Sequence, residues 1–268
     1  MSGPYRPGTP CWTDLMVPDQ QAALDFYRDL FGWQGEVGPP ETGGYSVCEL
    51  LGKPVAGIMK AMNPDGTVPD PLPPAVWTTY LSTDDLGAAL KAGEAAGGST
   101  VMGEQQVMDL GKMAVLADPT GAVFGLWQAG TFAGAGIVNE PGAVVWSELA
   151  TTDPAAAAAY YSKLLPIGTA PSEIPGAEGY TELQVNDRSV GGIMGLDQHP
   201  EGTPPHWLTY FNVDDADSVQ AAAVRAGATV LAPAFDMPVG RMAVLQDPQG
   251  AVFAIIKTTD APQQPDPR

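Results

Sequence analysis

Apolar positions along this chain fall into two periods. Runs such as Val55 to Met59, Ala114 to Ala117 and Ala122 to Trp127 have strand length and are bounded by glycine, proline or aspartate. Between them lie stretches with helical spacing. Ala22, Ala23, Phe26, Tyr27, Leu30 and Phe31 recur every three or four residues, the stripe of a helix with one buried face, and Ala155 to Leu165 repeats the pattern. An aspartate stands in front of each helical stretch, where its side chain can accept hydrogen bonds from the first turn. The Asp-Pro-x-Gly sequences at Asp118 and Asp247 read as turns between strands.

The pattern repeats. Cys11-Trp12-Thr13-Asp14-Leu15 returns as Val145-Trp146-Ser147-Glu148-Leu149, and Gly111 to Gly121 returns as Gly240 to Gly250. Gly44-Tyr45 with Gly57-Ile58-Met59 returns as Gly179-Tyr180 with Gly192-Ile193-Met194. Each half divides again, because a tryptophan precedes an aspartate by seven positions four times: Trp12/Asp19, Trp77/Asp84, Trp146/Asp153 and Trp207/Asp214. Internal repetition on this scale defines the architecture before any single element does. It predicts an α+β chain of four βαβββ modules, paired into a first domain over 8–129 (modules 8–62 and 75–129) and a second over 142–258 (modules 142–196 and 206–258). Residues 259–268 are expected to form a tail. Proline-rich stretches at Asn63 to Pro74 and Gln198 to Pro205 fall at the expected joints, and Gly130 to Gly142 separates the halves.

Charge narrows the partners. With 12 Lys+Arg against 31 Asp+Glu the net charge is −19, which repels phosphate backbones and anionic lipid, so neither nucleic acid nor a membrane surface is an expected partner. No run reaches the roughly 18 apolar residues of a membrane span, and Met1 to Gly8 lacks a basic and apolar leader pattern, so a cytoplasmic protein is expected. Cys11 and Cys48 are too few for a disulfide framework and lack metal-ligand spacing.

The four strand-Asp-helix modules and the two Asp-Pro-x-Gly turns resemble the vicinal oxygen chelate superfamily, which includes glyoxalase I, extradiol dioxygenases and bleomycin-resistance proteins. The likeness spans nearly the whole chain and is nearest to a tandem four-module actinobacterial type that includes proteins of polyketide antibiotic clusters. It implies cup-shaped mixed sheets, two glyoxalase/bleomycin-resistance-like domains, and a site inside each cup. In metal-dependent members a histidine opens the first strand of a module, and a glutamate lies four residues past the glycine of the Asp-Pro-x-Gly turn. Here the first set of positions reads Trp12, Trp77, Trp146 and Trp207, and the second Gly125 and Ala254. The last strands of the odd modules, Val55 to Met59 and Val190 to Met194, contain no acid either. A divalent ion needs several converging oxygen, nitrogen or sulfur donors, so no metal and no other cofactor is expected.

If Trp12 points into the cup, strand alternation sends Asp14 with it. The same parity, applied to the other modules, assigns Trp146 with Glu148, Trp77 with Thr79, and Trp207 with Thr209 and Phe211 to the cavities; Trp127 lines the first. Indole faces and one acid per cup suit a flat aromatic guest with a polar or cationic substituent. The competing reading makes the tryptophans core plugs and pairs Asp14 and Glu148 with Arg28, Lys112 or Arg241. Asp84-Asp85 and Asp214-Asp215 read as helix starts, Tyr45 and Tyr180 as packing or guest donors, and His206 as facing away from Trp207. The expected function is metal-independent binding of a small hydrophobic or aromatic ligand such as a natural product or antibiotic, in a monomer or homodimer. The alternative is an isomerase, cyclase or hydroxylase-related enzyme with Asp14 or Glu148 as its catalytic acid-base; a metal-dependent lyase or dioxygenase ranks below both.

Overall fold

The computed structural model describes residues 5–63 and 66–259, so of the tail expected at 259–268 all but Thr259 lies outside the described residues. The first half runs β1 (Pro10–Val17), α1 (Gln20–Phe31), β2 (Ser46–Leu50), β3 (Lys53–Lys60), β4 (Val76–Ser82), α2 (Leu86–Ala95), β5 (Ser99–Val107), β6 (Gly111–Ala117) and β7 (Val123–Ala129). The second runs β8 (Val144–Thr151), α3 (Pro154–Leu164), β9 (Gly168–Pro171), β10 (Thr181–Val185), β11 (Arg188–Gly195), β12 (His206–Asn212), α4 (Ala216–Arg225), β13 (Thr229–Met237), β14 (Gly240–Gln246) and β15 (Val252–Thr258). Consecutive modules share a sheet. The orders are β2-β3-β1-β4-β7-β6-β5 and β13-β14-β15-β12-β8-β11-β10-β9, with the opening strands of two modules antiparallel at each centre.

Three of the four modules are βαβββ; the first is βαββ. Where α3 is followed by β9, the stretch after α1 forms only a bridge between Gln34 and Glu49 and a short 3-10 turn at Pro40–Thr42. Gly35, Gly38, Pro39 and Pro40 explain the difference, since proline removes a ladder donor and glycine weakens strand pairing.

The aspartates cap the helices. Asp19, Asp85, Asp153 and Asp215 accept backbone hydrogen bonds from Ala22, Ala88, Ala156 and Ser218. In the two Asp-Pro-x-Gly turns, Asp118 Oδ1 accepts from the amides of Thr120, Gly121 and Ala122, and Asp247 Oδ1 from those of Gln249 and Ala251.

The sheet faces turned away from the cups meet in two apolar clusters that cross between the halves. One joins Leu15, Phe26, Trp33 and Ile58 to Phe211, Leu245 and Phe253; the other joins Leu81, Leu116 and Phe124 to Leu149, Tyr161 and Leu183. A matched polar relay runs through each cluster. Trp77 Nε1 donates to Tyr27 Oη at 3.1 Å, and Tyr27 donates to Asp247 Oδ2 at 3.0 Å. Trp207 Nε1 donates to Tyr161 Oη at 3.0 Å, and Tyr161 donates to Asp118 Oδ2 at 3.2 Å. Each tyrosine hydroxyl thus satisfies an indole of one half or module and a turn carboxyl of the opposite half at once, which couples burial to correct docking.

Removing either hydroxyl leaves an indole N–H without its acceptor in the core. Tyr27→Phe and Tyr161→Phe are each expected to lower unfolding stability by about 1–3 kcal/mol, read as a reduced urea midpoint. An unchanged midpoint in both variants would show that the relays do not hold the halves together.

Candidate functional site

Each cup contains one carboxyl gripped by aromatic side chains. In β1 the pleat sends Trp12, Asp14 and Met16 to the concave side, while Leu15 and Val17 enter the interdomain core and Thr13 Oγ1 lies 3.4 Å from Thr209 Oγ1 of the other half. On the neighbouring strand β4, Tyr80 pairs with Trp12 and Thr78 with Asp14. In the second half Tyr210 pairs with Trp146 and Leu208 with Glu148. Residues opposite one another in adjacent strands share a face, so Tyr80 and Tyr210 enter the cups beside the acids.

That register corrects half of the expected site. Trp77, Thr79, Trp207, Thr209 and Phe211 pack in the interior between the halves and line neither cup: Trp77 pairs with Leu15, Thr79 with Thr13, Trp207 with Leu149 and Thr209 with Ser147. The cause is a slip of one residue. The caps of α2 and α4 are Asp85 and Asp215, the second acid of each pair, so Trp77 and Trp207 stand eight positions before the cap (85 − 77, 215 − 207) and not seven. A shift of one residue in a strand exchanges its two faces. Thr78 and Leu208 are the true counterparts of Trp12 and Trp146, and Tyr80 and Tyr210 those of Asp14 and Glu148. The doubled aspartates in each even module were the available signal.

In the first cup Trp12 Nε1 donates to Tyr45 Oη at 2.7 Å, and Tyr45 donates to Asp14 Oδ2 at 3.2 Å. In the second, Trp146 Nε1 donates to Tyr180 Oη at 2.8 Å, and Tyr210 donates to Glu148 Oε1 at 2.8 Å. Tyr80 in the first cup and Tyr180 in the second also favour ionisation of the neighbouring carboxyl. Glycine makes room for these rings. A Cβ on Gly57 would lie 1.8 Å from Tyr45 Oη, one on Gly192 1.9 Å from Tyr180 Oη, and one on Gly125 2.1 Å from Tyr80 Cδ1.

Burial dominates the electrostatics. Asp14 is 3% exposed, and removal from water pushes its carboxyl up to about 7 against the opposing pull of Tyr80 and Tyr45; its Oδ1 has no aligned donor. Glu148 is 7% exposed and raised for the same first reason, with Tyr210 and Tyr180 opposing. The nearby tyrosines are pushed well above the ordinary phenol range by burial and by the acid beside them. The cations considered as salt-bridge partners are engaged elsewhere: Arg28 with Asp25 and Asp29, Lys112 with Glu104, and Arg241 with Asp217 and Asp236.

The donor set does not fit a divalent ion. Tyr80 fills the space over Gly125, one of the expected ligand positions, and Ala254 pairs with Tyr210 at the other. Among the described residues no three His, Cys, Asp or Glu side chains are grouped to hold a metal. Each cup offers one acid and neutral phenols.

The cups differ at their mouths. Phe132, from the connector between the halves, meets Trp12 edge-to-face at a centroid distance of 5.0 Å and Trp127 at 6.1 Å, while Trp127 Nε1 donates to the Phe132 carbonyl at 3.0 Å. Tyr5 closes the same cluster and donates to the Ala135 carbonyl at 2.6 Å. In the second cup Trp146 is half-buried in a cluster with Leu208, Tyr210, Met242, Ala254 and Ile256, and among the described residues no ring meets it edge-to-face as Phe132 meets Trp12. The structure therefore gathers Trp12, Asp14 and Trp127 in one cup and Trp146 and Glu148 in the other.

Comparison with known proteins agrees with this architecture. Residues 11–126 match the Glyoxalase/Bleomycin resistance protein/Dioxygenase superfamily model and residues 144–256 the Glyoxalase-like domain model. The chain belongs to that superfamily. It is 44% identical over 263 residues, 97% of this chain and 98% of the relative, to "Putative glyoxylase CFP32" of Mycobacterium bovis. It is 39% identical to the Anthracycline biosynthesis protein DnrV of Streptomyces peucetius, covering 94% of each chain. The Mn(II)-bound glyoxalase from Novosphingobium aromaticivorans shares the fold, with a TM-score of 0.62 and 14% identity over 97% of this chain and 86% of that one. No helix among the described residues is long and apolar enough to cross a membrane.

The raised Asp14 pKa makes a pH prediction. Unfolded, this carboxyl loses its proton near pH 4; folded, it keeps it until about pH 7. Its contribution to stability is full below pH 4 and is lost as pH rises to about 7, with a slope of at most about 1.4 kcal/mol per pH unit. Asp14→Asn, which mimics the neutral form, is expected to remove that decline in urea titrations between pH 4 and pH 8. Parallel pH profiles for the two proteins would contradict the assignment.

Proposed function

We propose that this protein binds a small aromatic molecule, of the size and flatness of a polyketide natural product or antibiotic, without a metal. The observation that carries the reading is the second cup, where a half-buried indole shares a strand face with a carboxyl held by two tyrosines, one of which the indole also holds. An indole face recognises a flat ring by stacking, worth about 0.5–1.5 kcal/mol per pair beyond the area buried. A carboxyl in a dry site discriminates strongly among polar substituents, because it costs more to leave unpaired there than in water. The relation to a protein named for anthracycline biosynthesis supports a polycyclic aromatic guest. We further take the protein to act in the cytoplasm as a monomer or homodimer, with no nucleic-acid or membrane partner, in keeping with its net charge of −19.

One observation favours a second reading, an acid-base enzyme. Asp14, with its carboxyl raised to about 7, has the proton affinity a general acid or base needs near neutrality. Glu148, raised in the same direction, has the same chemical capacity. Product analysis after prolonged incubation with a guest separates the two readings.

Titration with 1,4-dihydroxyanthraquinone is expected to quench tryptophan fluorescence saturably, with equal affinity before and after dialysis against a chelator. Glu148→Gln should change affinity by about 3- to 30-fold, the range for a charged or polar contact in a buried site. Binding that requires a stoichiometric transition metal would contradict metal independence; no saturable binding of any polycyclic aromatic would contradict the proposed function.

A further inference from the structure

The two cups have matched floors, yet among the described residues only the first carries a ring of the chain edge-to-face on its tryptophan. We infer that Phe132 is an internal occupant of the first cup and that the guest binds only in the second, one per chain, with an aromatic ring of the guest taking against Trp146 the place that Phe132 takes against Trp12. This rests on the proposed binding function and assigns it to one half of the molecule.

The equivalence is structural. Trp12 and Trp146 hold matched positions in β1 and β8, and their indoles donate to matched tyrosines, Tyr45 and Tyr180, at 2.7 and 2.8 Å. Above them the halves part. Directly after β7 the chain turns back over the cup, pinned by hydrogen bonds from the Gly130 and Phe132 amides to the Leu110 carbonyl and from the Ala135 amide to the Cys11 carbonyl. That path delivers the Phe132 ring to Trp12 and Trp127, which end 8% exposed each. Three residues past the end of β7 stands Phe132; three residues past the end of β15 the sequence has Ala261. Trp127 itself has no counterpart: Ile256 stands at the matched position of β15 and leaves the Trp146 ring more open.

Chemistry separates the acids in the same sense. Asp14 is sealed beneath Trp12, Tyr80 and the connector, with one oxygen lacking an aligned donor, while Glu148 lies under an indole that solvent reaches. Among the described residues no ring of the chain has to leave for a guest to meet Trp146. Reaching Asp14 requires Phe132 to leave.

Isothermal titration with 1,4-dihydroxyanthraquinone tests this on the full chain. The expected stoichiometry is one; Trp146→Ala should weaken binding by about tenfold or more, and Phe132→Ala should raise the stoichiometry to two. Both replaced side chains are partly exposed, and thermal melts verify that each variant is folded. Should the Phe132 variant not fold, the wild-type stoichiometry and the Trp146 variant still decide the matter. A wild-type stoichiometry of two, or full affinity in Trp146→Ala, overturns the assignment while leaving aromatic binding in place. Absence of binding in every protein overturns the proposed function and this inference together.

Discussion

Each cup of this molecule is organised around a carboxyl held away from water. An isolated ionised acid in such a place is costly, and a protein meets that cost either by neutralising the acid or by surrounding it with donors. Both occur here. Two phenol groups lean on each acid, an indole N–H fixes one of those phenols, and the pKa rises because the phenols offset desolvation only in part. The glycines at 57, 125 and 192 follow from the same requirement, since any side chain there would collide with the tyrosines.

The opposite faces of the same strands obey a different rule. Trp77 and Trp207 belong to relays that tie Tyr27 of α1 and Tyr161 of α3 to a turn aspartate in the other half. The four tryptophans at the starts of the modules thus divide: Trp12 and Trp146 look into the cups, and Trp77 and Trp207 bind the halves together. Two chemically alike sets, displaced by one residue in register, do the separate jobs of forming a site and forming a core.

The repeat, the turns and the caps at Asp19 and Asp153 were legible in the sequence because they are local, acting on amides a few residues away, whereas the caps of α2 and α4 fall one residue past Asp84 and Asp214. The pairing of consecutive modules is set by contacts distant in sequence, β1 against β4 and β8 against β12. Trp12, Asp14, Trp146 and Glu148 were placed correctly by alternation from one anchored residue. Trp77, Thr79, Trp207, Thr209 and Phe211 were not, because alternation carries no information about which of two adjacent aspartates caps the helix, and the wrong choice inverts a strand. Tyr80 and Tyr210 were missed with them. The role of Phe132 was out of reach for another reason: a connector's path across a cup depends on contacts distant in sequence, and no periodicity marks it. The absent strand in the first module was signalled by glycine and proline density after α1.

Protonation of the two acids is the property on which the account stands, and carbon-13 NMR of the side-chain carboxyls measures it directly. With Asp14→Asn and Glu148→Gln used to assign the signals, Asp14 should titrate near pH 7 and Glu148 above the usual glutamate range. Ordinary titration of both near pH 4 would mean that water reaches these carboxyls freely and that the dry, tyrosine-held cups described above do not exist.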